Sequence, residues 1–95
     1  MFREVALVDS RPNEEPTYEI VRARPVGRAY TWCDPTNPGA GGVSLLFEGE
    51  DGRWFVQQIS HFPSPGFRFC AIYFSFSSLD DAKYVFPDEL TDILS

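Results

Sequence analysis

The segment from Val43 to Ile59 constrains the fold more than any other part of the chain. It reads VSLLFEGEDGRWFVQQI, with an apolar run on each side of Glu50-Asp51-Gly52. Asp-Gly readily supplies the positive φ that a tight hairpin needs. The segment therefore predicts a β-hairpin, which makes at least part of the fold an antiparallel sheet.

Gly and Pro punctuate the rest of the chain at intervals that suit short strands. Three further strands are predicted at Arg3 to Asp9, Thr17 to Arg24 and Arg28 to Cys33, with a turn at 25–27 between the last two. A turn is also predicted at 61–66, in the stretch HFPSPG.

Phe67 to Ser77 is the longest strand candidate. Its sequence, FRFCAIYFSFS, places apolar side chains on both faces of the predicted strand. Strands that are apolar on both faces are typically covered on both sides. We therefore predict a central strand here.

The C-terminal region changes to helical signals. Ser78 fits the N-cap of a short helix whose third position is Asp81. Residues 82–86 are ambiguous, because Tyr84, Val85 and Phe86 are also good strand formers. The ambiguity between helix and strand stays open for this stretch.

A final helix is predicted to begin at Pro87. Proline is favoured in the first helical turn, and the acids Asp88 and Glu89 would complement the helix dipole. An apolar stripe is formed by Leu90, Ile93 and Leu94. We expect this helix to pack on one face of the sheet.

Together these segments predict a single domain over residues 1–95 of the α+β class, mostly β. The expected architecture is one antiparallel sheet of five or six strands, curled or forming a partly open barrel. One or two short helices follow it at the C-terminus.

Charge is unevenly distributed along the chain. The net charge is −6, yet residues 1–28 are neutral, and residues 29–95 hold nine acids against Arg53, Arg68 and Lys83. An acidic surface is repelled by nucleic acid and by anionic membranes, so we expect neither to be a direct partner. It is attracted to a protein with a basic surface. The alternative is that the charge only keeps a small protein soluble.

The sequence predicts a cytoplasmic protein. The N-terminal apolar run is too short for a secretory signal core, and no run approaches a membrane span. Two cysteines do not make the disulfide framework of a small secreted domain. We expect reduced thiols at Cys33 and Cys70, with a bond between them as the open alternative.

The stretch CDPTNPGAGG, from Cys33 to Gly42, raises the question of a phosphate-binding loop. Such a loop needs a Lys and the start of a helix after its glycines. Here a predicted strand from Val43 follows the glycines. The stretch contains no Lys, and Asp34 would repel a phosphate. A long loop between two strands is favoured, with partner binding as a further option.

Few side chains offer catalytic chemistry. His61 is the single histidine, and it needs a spatial neighbour such as Cys70 or Cys33 to act as a base. Arg22 and Arg24 share one face of a predicted strand and can grip an anion, or they can protect a sheet edge by charge. No cofactor and no metal ion are predicted.

We favour a small acidic protein-interaction module over an enzyme. Its most specific form is a stoichiometric inhibitor, of the immunity, antitoxin or phage anti-defence type, that binds a basic nucleic-acid-handling protein. The alternative is a small enzyme or ligand-binding domain that uses His61, Cys70 or the Arg22/Arg24 pair in a pocket. A homodimer is also open. The predicted partner-binding residues are Asp80, Asp81, Asp88, Glu89, Asp92, Trp54 and Phe62.

Overall fold

The fold is an antiparallel sheet followed by two short helices. The computed structural model describes residues 1–62 and 68–95. Its elements are β1 (Arg3–Asp9), β2 (Thr17–Cys33), β3 (Gly41–Gly49), β4 (Trp54–Phe62), β5 (Arg68–Phe76), α1 (Leu79–Val85) and α2 (Pro87–Ile93). The strands are hydrogen-bonded in the order β1-β2-β3-β4-β5. The sheet curls into a half-barrel, which confirms the predicted fold class.

The predicted hairpin is present as β3 and β4. Phe47 lies opposite Phe55 and Leu46 lies opposite Val56, so the apolar runs pair as expected. Gly52 in the connecting turn has φ 94°. This hairpin is the centre of the sheet.

The turn predicted at 25–27 is wrong, since β2 runs through it without a break. The register with β3 shifts between Val26 and Tyr30, so the strand carries a bulge there. Gly27 has φ 70°, and a Cβ at this position would overlap the backbone of Ile93 in α2. The glycine is therefore explained by a bulge and by close packing of a helix, rather than by a chain reversal.

The prediction of a central strand at Phe67–Ser77 is also wrong. The strand β5 is last in the hydrogen-bonding order. Tyr73 on one of its faces packs inside the curl, and Phe74 and Phe76 on the other face pack against the helices. Beyond the end of β1, Ser10 and Ala71 exchange two backbone hydrogen bonds of 2.9 and 2.8 Å. We call the line along which β1 meets β5 the seam. The turn predicted at 61–66 is wrong for its first two residues, because His61 and Phe62 belong to β4. The rest of that turn and Phe67 lie outside the described residues.

Two apolar cores lie on the two faces of the sheet. The face inside the curl, called the inner face, buries Leu7, Val21, Ala23 and Phe55. The outer face meets the helices and buries Leu46, Val56, Ala82, Phe86, Leu90 and Ile93. A sheet of this size has two apolar faces because one closes on itself while the helices cover part of the other.

The helices resolve the ambiguity at residues 82–86. Ser78 caps α1, and its Oγ accepts a hydrogen bond of 3.1 Å from the Asp81 backbone N–H. Residues 82–85 continue that helix, and Phe86 joins α1 to α2. Pro87 begins α2 as predicted, but Leu94 lies partly outside the core. No described helix is both long and apolar enough to cross a membrane.

Candidate functional site

Five arginines are neutralised by neighbouring acids. The pairs are Arg11–Asp9, Arg22–Glu50, Arg24–Glu48, Arg28–Asp92 and Arg53–Asp51, with N···O distances from 2.6 to 3.3 Å. Each pair is largely solvent-exposed and contributes little to stability. Their main effect is on where the net charge lies. Because these five acids are balanced by arginines, the excess negative charge of the protein comes from its other acids.

Four of the acids without a cationic partner lie in the first turns of the two helices. Asp80 and Asp81 begin α1, and Asp88 and Glu89 begin α2. Among the residues that the structure describes, no Lys or Arg forms an ion pair with any of the four. Asp92, the fifth predicted acid, pairs with Arg28 at 3.0 Å. Four of the five predicted acids therefore lack a cationic partner among the described residues, and one of them, Asp81, accepts a hydrogen bond of 3.0 Å from Ser77 Oγ.

Tyr84 lies between the two acidic pairs in the sequence and shares α1 with the first of them. One side of α1 packs on the core through Leu79, Ala82 and, just after the helix, Phe86. Tyr84 lies on the opposite side, 88% exposed. Asp80 precedes it by four residues, so the two side chains share one surface of the helix. We call the surface formed by Asp80, Asp81, Tyr84, Asp88 and Glu89 the acidic face.

A shallow groove runs beside the acidic face. It has a volume of about 300 Å³ and is lined by Lys83, Pro87, Leu90, Thr91, Leu94 and Ser95. Leu94 contributes apolar surface there because the core does not cover it completely. Protein interfaces commonly place an aromatic anchor next to such a recess.

The two predicted aromatic contacts are not brought together. Trp54 begins β4 and packs half-buried against the core under the helices. Phe62 ends the same strand and is exposed. A strand rises about 3.3 Å per residue, so these residues lie about 26 Å apart. The prediction of Trp54 stays compatible with the acidic face, whereas Phe62 lies at the far end of the sheet.

The inner face ends in a row of four aligned residues. The cross-strand pairs Cys33–Gly41, Gly41–His61 and His61–Phe69 place one residue from each of β2, β3, β4 and β5 in line. The rings of His61 and Phe69 are 6.1 Å apart between centroids. Cys33 and His61 are separated by the width of β3, or about 9.5 Å.

Cys70 offers no alternative partner for His61. It lies opposite Ser60, one position out of step with His61, so the two side chains point to opposite faces of the sheet. Both cysteines are free thiols. The Cys70–His61 pair that the sequence leaves open is therefore not assembled.

Arg22 and Arg24 lie on the outer face of β2. Arg24 Nε donates to Glu48 Oε1 at 2.7 Å, and Arg22 donates to Glu50 at 3.3 Å and to the Phe2 carbonyl. These cross-strand contacts already occupy both guanidinium groups. The expectation that these arginines protect a sheet edge is wrong, because β2 lies between β1 and β3. Their contacts are ion pairs with acids of the neighbouring strand and turn.

The loop between β2 and β3 closes on itself. Asp34 and Ala40 are joined by a backbone hydrogen bond of 3.0 Å. The Asp34 carboxylate accepts from the side chain and backbone of Thr36, and these bonds hold the pKa of Asp34 below its usual value. The loop therefore presents an anion instead of receiving one. Gly41 and Gly42, which the sequence placed in the loop, belong to β3.

The described part of the chain contains no assembled metal-binding site. No three His, Cys, Asp or Glu side chains there converge closely enough to hold an ion. The chain also matches no family model, no curated protein and no solved structure. Function must therefore be argued from the sites themselves.

Proposed function

We propose that this protein is a small acidic interaction module, not an enzyme, and that it binds a partner with a basic surface through the acidic face. In its most specific form it is a stoichiometric inhibitor of a basic, nucleic-acid-handling protein, of the immunity, antitoxin or phage anti-defence type. The observation that carries the proposal is the 88% exposure of Tyr84 on α1, one turn after Asp80 and Asp81, which lack cationic partners among the described residues.

Tyrosine is a favoured anchor in protein interfaces, since its ring buries a large area and its hydroxyl finds a polar partner. An exposed tyrosine with an acidic rim matches the usual anatomy of such interfaces, in which charges surround a central contact. The carboxylates without cationic partners would steer a basic partner towards the ring and speed association at low salt.

The separation of the remaining chemical groups supports binding over catalysis. Cys33 and His61 lie two strands apart, and Arg22 and Arg24 are engaged by acids. The two free thiols support the proposed cytoplasmic location, because disulfides persist mainly in oxidising compartments.

Photo-crosslinking identifies the partner and the face together. A photoreactive phenylalanine analogue is placed at position 84, or as a control at Tyr18, a 70% exposed tyrosine on the outer face of β2. We expect a basic protein to be crosslinked from position 84 in lysate of the source and not from position 18. Crosslinking of that protein from position 18 alone, or of none from either position, would contradict the proposal.

Charge-matched variants then test the steering. Asp80→Asn with Asp81→Asn removes two charges from the acidic face, and Glu14→Gln with Glu15→Gln removes two from the exposed loop after β1. We expect the first pair to weaken binding of the crosslinked partner by roughly tenfold and the second by less than about twofold. Wild-type affinity should fall as salt rises. Equal effects of the two pairs, or a salt-independent affinity, would exclude electrostatic recognition by this face.

A further inference from the structure

The open end of the inner face contains a cavity whose described lining includes no residue of the helices or of the acidic face. Its volume is about 490 Å³, within the range of small-molecule sites. The lining comes from the ends of β2, β3, β4 and β5 and from the loop between β2 and β3. It includes Gly41, Val43, Ile59 and Phe69.

The cavity lies just beyond the point where the sheet closes. Val43, Ile59 and Ala71 share one cross-strand row, and Ala71 exchanges two backbone hydrogen bonds with Ser10 after the end of β1. The next row on the same face includes Gly41, which has no side chain. Space therefore remains above β3, in front of Val43 and Ile59.

The fold keeps this space open and leaves its walls in water. A Cβ on Gly41 would overlap the carbonyl oxygen of Trp32 on β2, so the approach of the two strands excludes a side chain there. Ile59 and Phe69 are 37% and 61% exposed, whereas Phe55, deeper on the same face, is buried. A bound apolar group would remove this exposed apolar surface from water, which is favourable.

The lining also restricts the charge of a ligand. None of the described residues that line the cavity is Asp, Glu, Lys or Arg. A charged group that entered would lose its water without gaining an opposite charge from these four residue types, which is unfavourable. An anion would in addition be repelled by the net charge of −6. The cavity therefore favours neutral molecules.

We propose that this cavity binds a small, neutral, largely apolar molecule with a planar ring, which lies over Val43 and Ile59 and contacts the ring of Phe69. A planar ring suits the site because Phe69 offers an aromatic contact and Gly41 lets a flat group approach the backbone. A small molecule suits it better than a protein segment, because four strands and a loop surround a recess of ligand size. The site is distinct from the acidic face, so either proposal can fail without the other.

Two dyes that share the same rings test the inference. The probes are the neutral N-phenyl-1-naphthylamine and 8-anilinonaphthalene-1-sulfonate, which adds a sulfonate. We expect saturable one-to-one binding of the neutral dye to the folded protein, with the sulfonate dye weaker by roughly tenfold or more. Amide NMR shifts caused by the neutral dye should be largest at Gly41, Val43, Ile59 and Phe69. Shifts centred on the helices, or no saturable binding, would overturn the proposed site, and equal or tighter binding of the sulfonate dye would overturn the ligand class.

A matched pair of variants tests the apolar floor. Ile59→Asp places a carboxylate in the cavity and should weaken the neutral dye by roughly tenfold or more. Ile20→Asp is the control, since Ile20 is another exposed isoleucine, on the outer face of β2, and it should change the affinity by less than about twofold. Equal effects of the two variants would refute the site, and the shift map on the wild-type protein decides the question even if Ile59→Asp misfolds.

Discussion

The side chain of Gln57 pairs with the backbone of Val8 as a second strand would. Val8 N–H donates to Gln57 Oε1 at 2.7 Å, and Gln57 Nε2 donates back to the Val8 carbonyl at 3.0 Å. The same Nε2 donates to the Ile72 carbonyl at 3.0 Å. Gln57 is only 5% exposed, so its amide bridges β1 and β5 from inside the curl where their backbones no longer meet. This contact extends the seam that Ser10 and Ala71 begin.

Gln57→Leu should destabilise the protein by about 2–3 kcal/mol. Leucine retains much of the volume but leaves a backbone N–H and two carbonyls without their partner in a buried setting. Urea unfolding measures the change. Ser60→Ala on the same strand is the control, since Ser60 is half-buried and its Oγ donates to the Cys70 carbonyl at 3.4 Å, and it should cost about 1 kcal/mol or less. Equal costs would mean that the seam does not depend on Gln57.

Gly27→Ala should lower the free energy of unfolding more than Gly52→Ala does. Both glycines have positive φ, 70° and 94°, so both substitutions strain the backbone by about 1 kcal/mol. A Cβ at Gly27 also overlaps Ile93, whereas nothing lies within 4 Å of a Cβ at Gly52. We expect an extra cost of about 1–3 kcal/mol at Gly27, measured by thermal or urea unfolding. Equal costs would contradict the close packing of α2 on the β2 bulge.

Phe86→Ala should destabilise the fold by about 3–5 kcal/mol. Phe86 is buried between the helices and the sheet, with its ring 5.1 Å from that of Phe74 and 6.1 Å from that of Phe76. Tyr84→Ala, two residues earlier, should change stability by less than about 0.5 kcal/mol, because the side chain is exposed. A large loss with Tyr84→Ala would mean that the tyrosine serves the fold and not a partner.

The pKa of Tyr73 is raised above the ordinary tyrosine value of 10.0, first by its hydrogen bond to Glu19, then by burial and by the charges of Glu19 and Asp9. Its hydroxyl lies 3.1 Å from Glu19 Oε1. The resulting stability is fully present below the unfolded pKa near 10.0 and is lost as pH rises through the folded value. Glu19→Gln should therefore lower the pKa of Tyr73, as followed by NMR of its ring carbons. An unchanged pKa would exclude Glu19 as the cause.

Local signals in the sequence predicted much of the fold. The β3–β4 hairpin, β1, the Ser78 cap and the start of α2 at Pro87 each depend on a few adjacent residues. The errors arose where contacts between residues far apart in the sequence determine the local structure. Gly27 was interpreted as a turn because its contact with Ile93 cannot be seen locally. We placed β5 in the centre of the sheet because both of its faces are apolar, and the local sequence does not show that the helices and the curl cover an edge strand.

The candidate sites were predicted less well for the same reason. The acids of the acidic face were named, but Tyr84 was missed, since residues 82–86 were ambiguous between helix and strand. Its spacing of three and four residues from Asp81 and Asp80 would have indicated it once helix was assumed. The row of Cys33, Gly41, His61 and Phe69 depends on the register of four strands, which no single-strand pattern supplies.

The most direct test of the proposed function compares two exposed tyrosines in one titration. The dissociation constant of the partner crosslinked from position 84 is measured for the wild-type protein, Tyr84→Ala and Tyr18→Ala. If the acidic face is the binding surface, Tyr84→Ala weakens binding by roughly tenfold or more, as expected for an interface anchor, and Tyr18→Ala leaves it within about twofold. Undiminished binding by Tyr84→Ala would contradict the account.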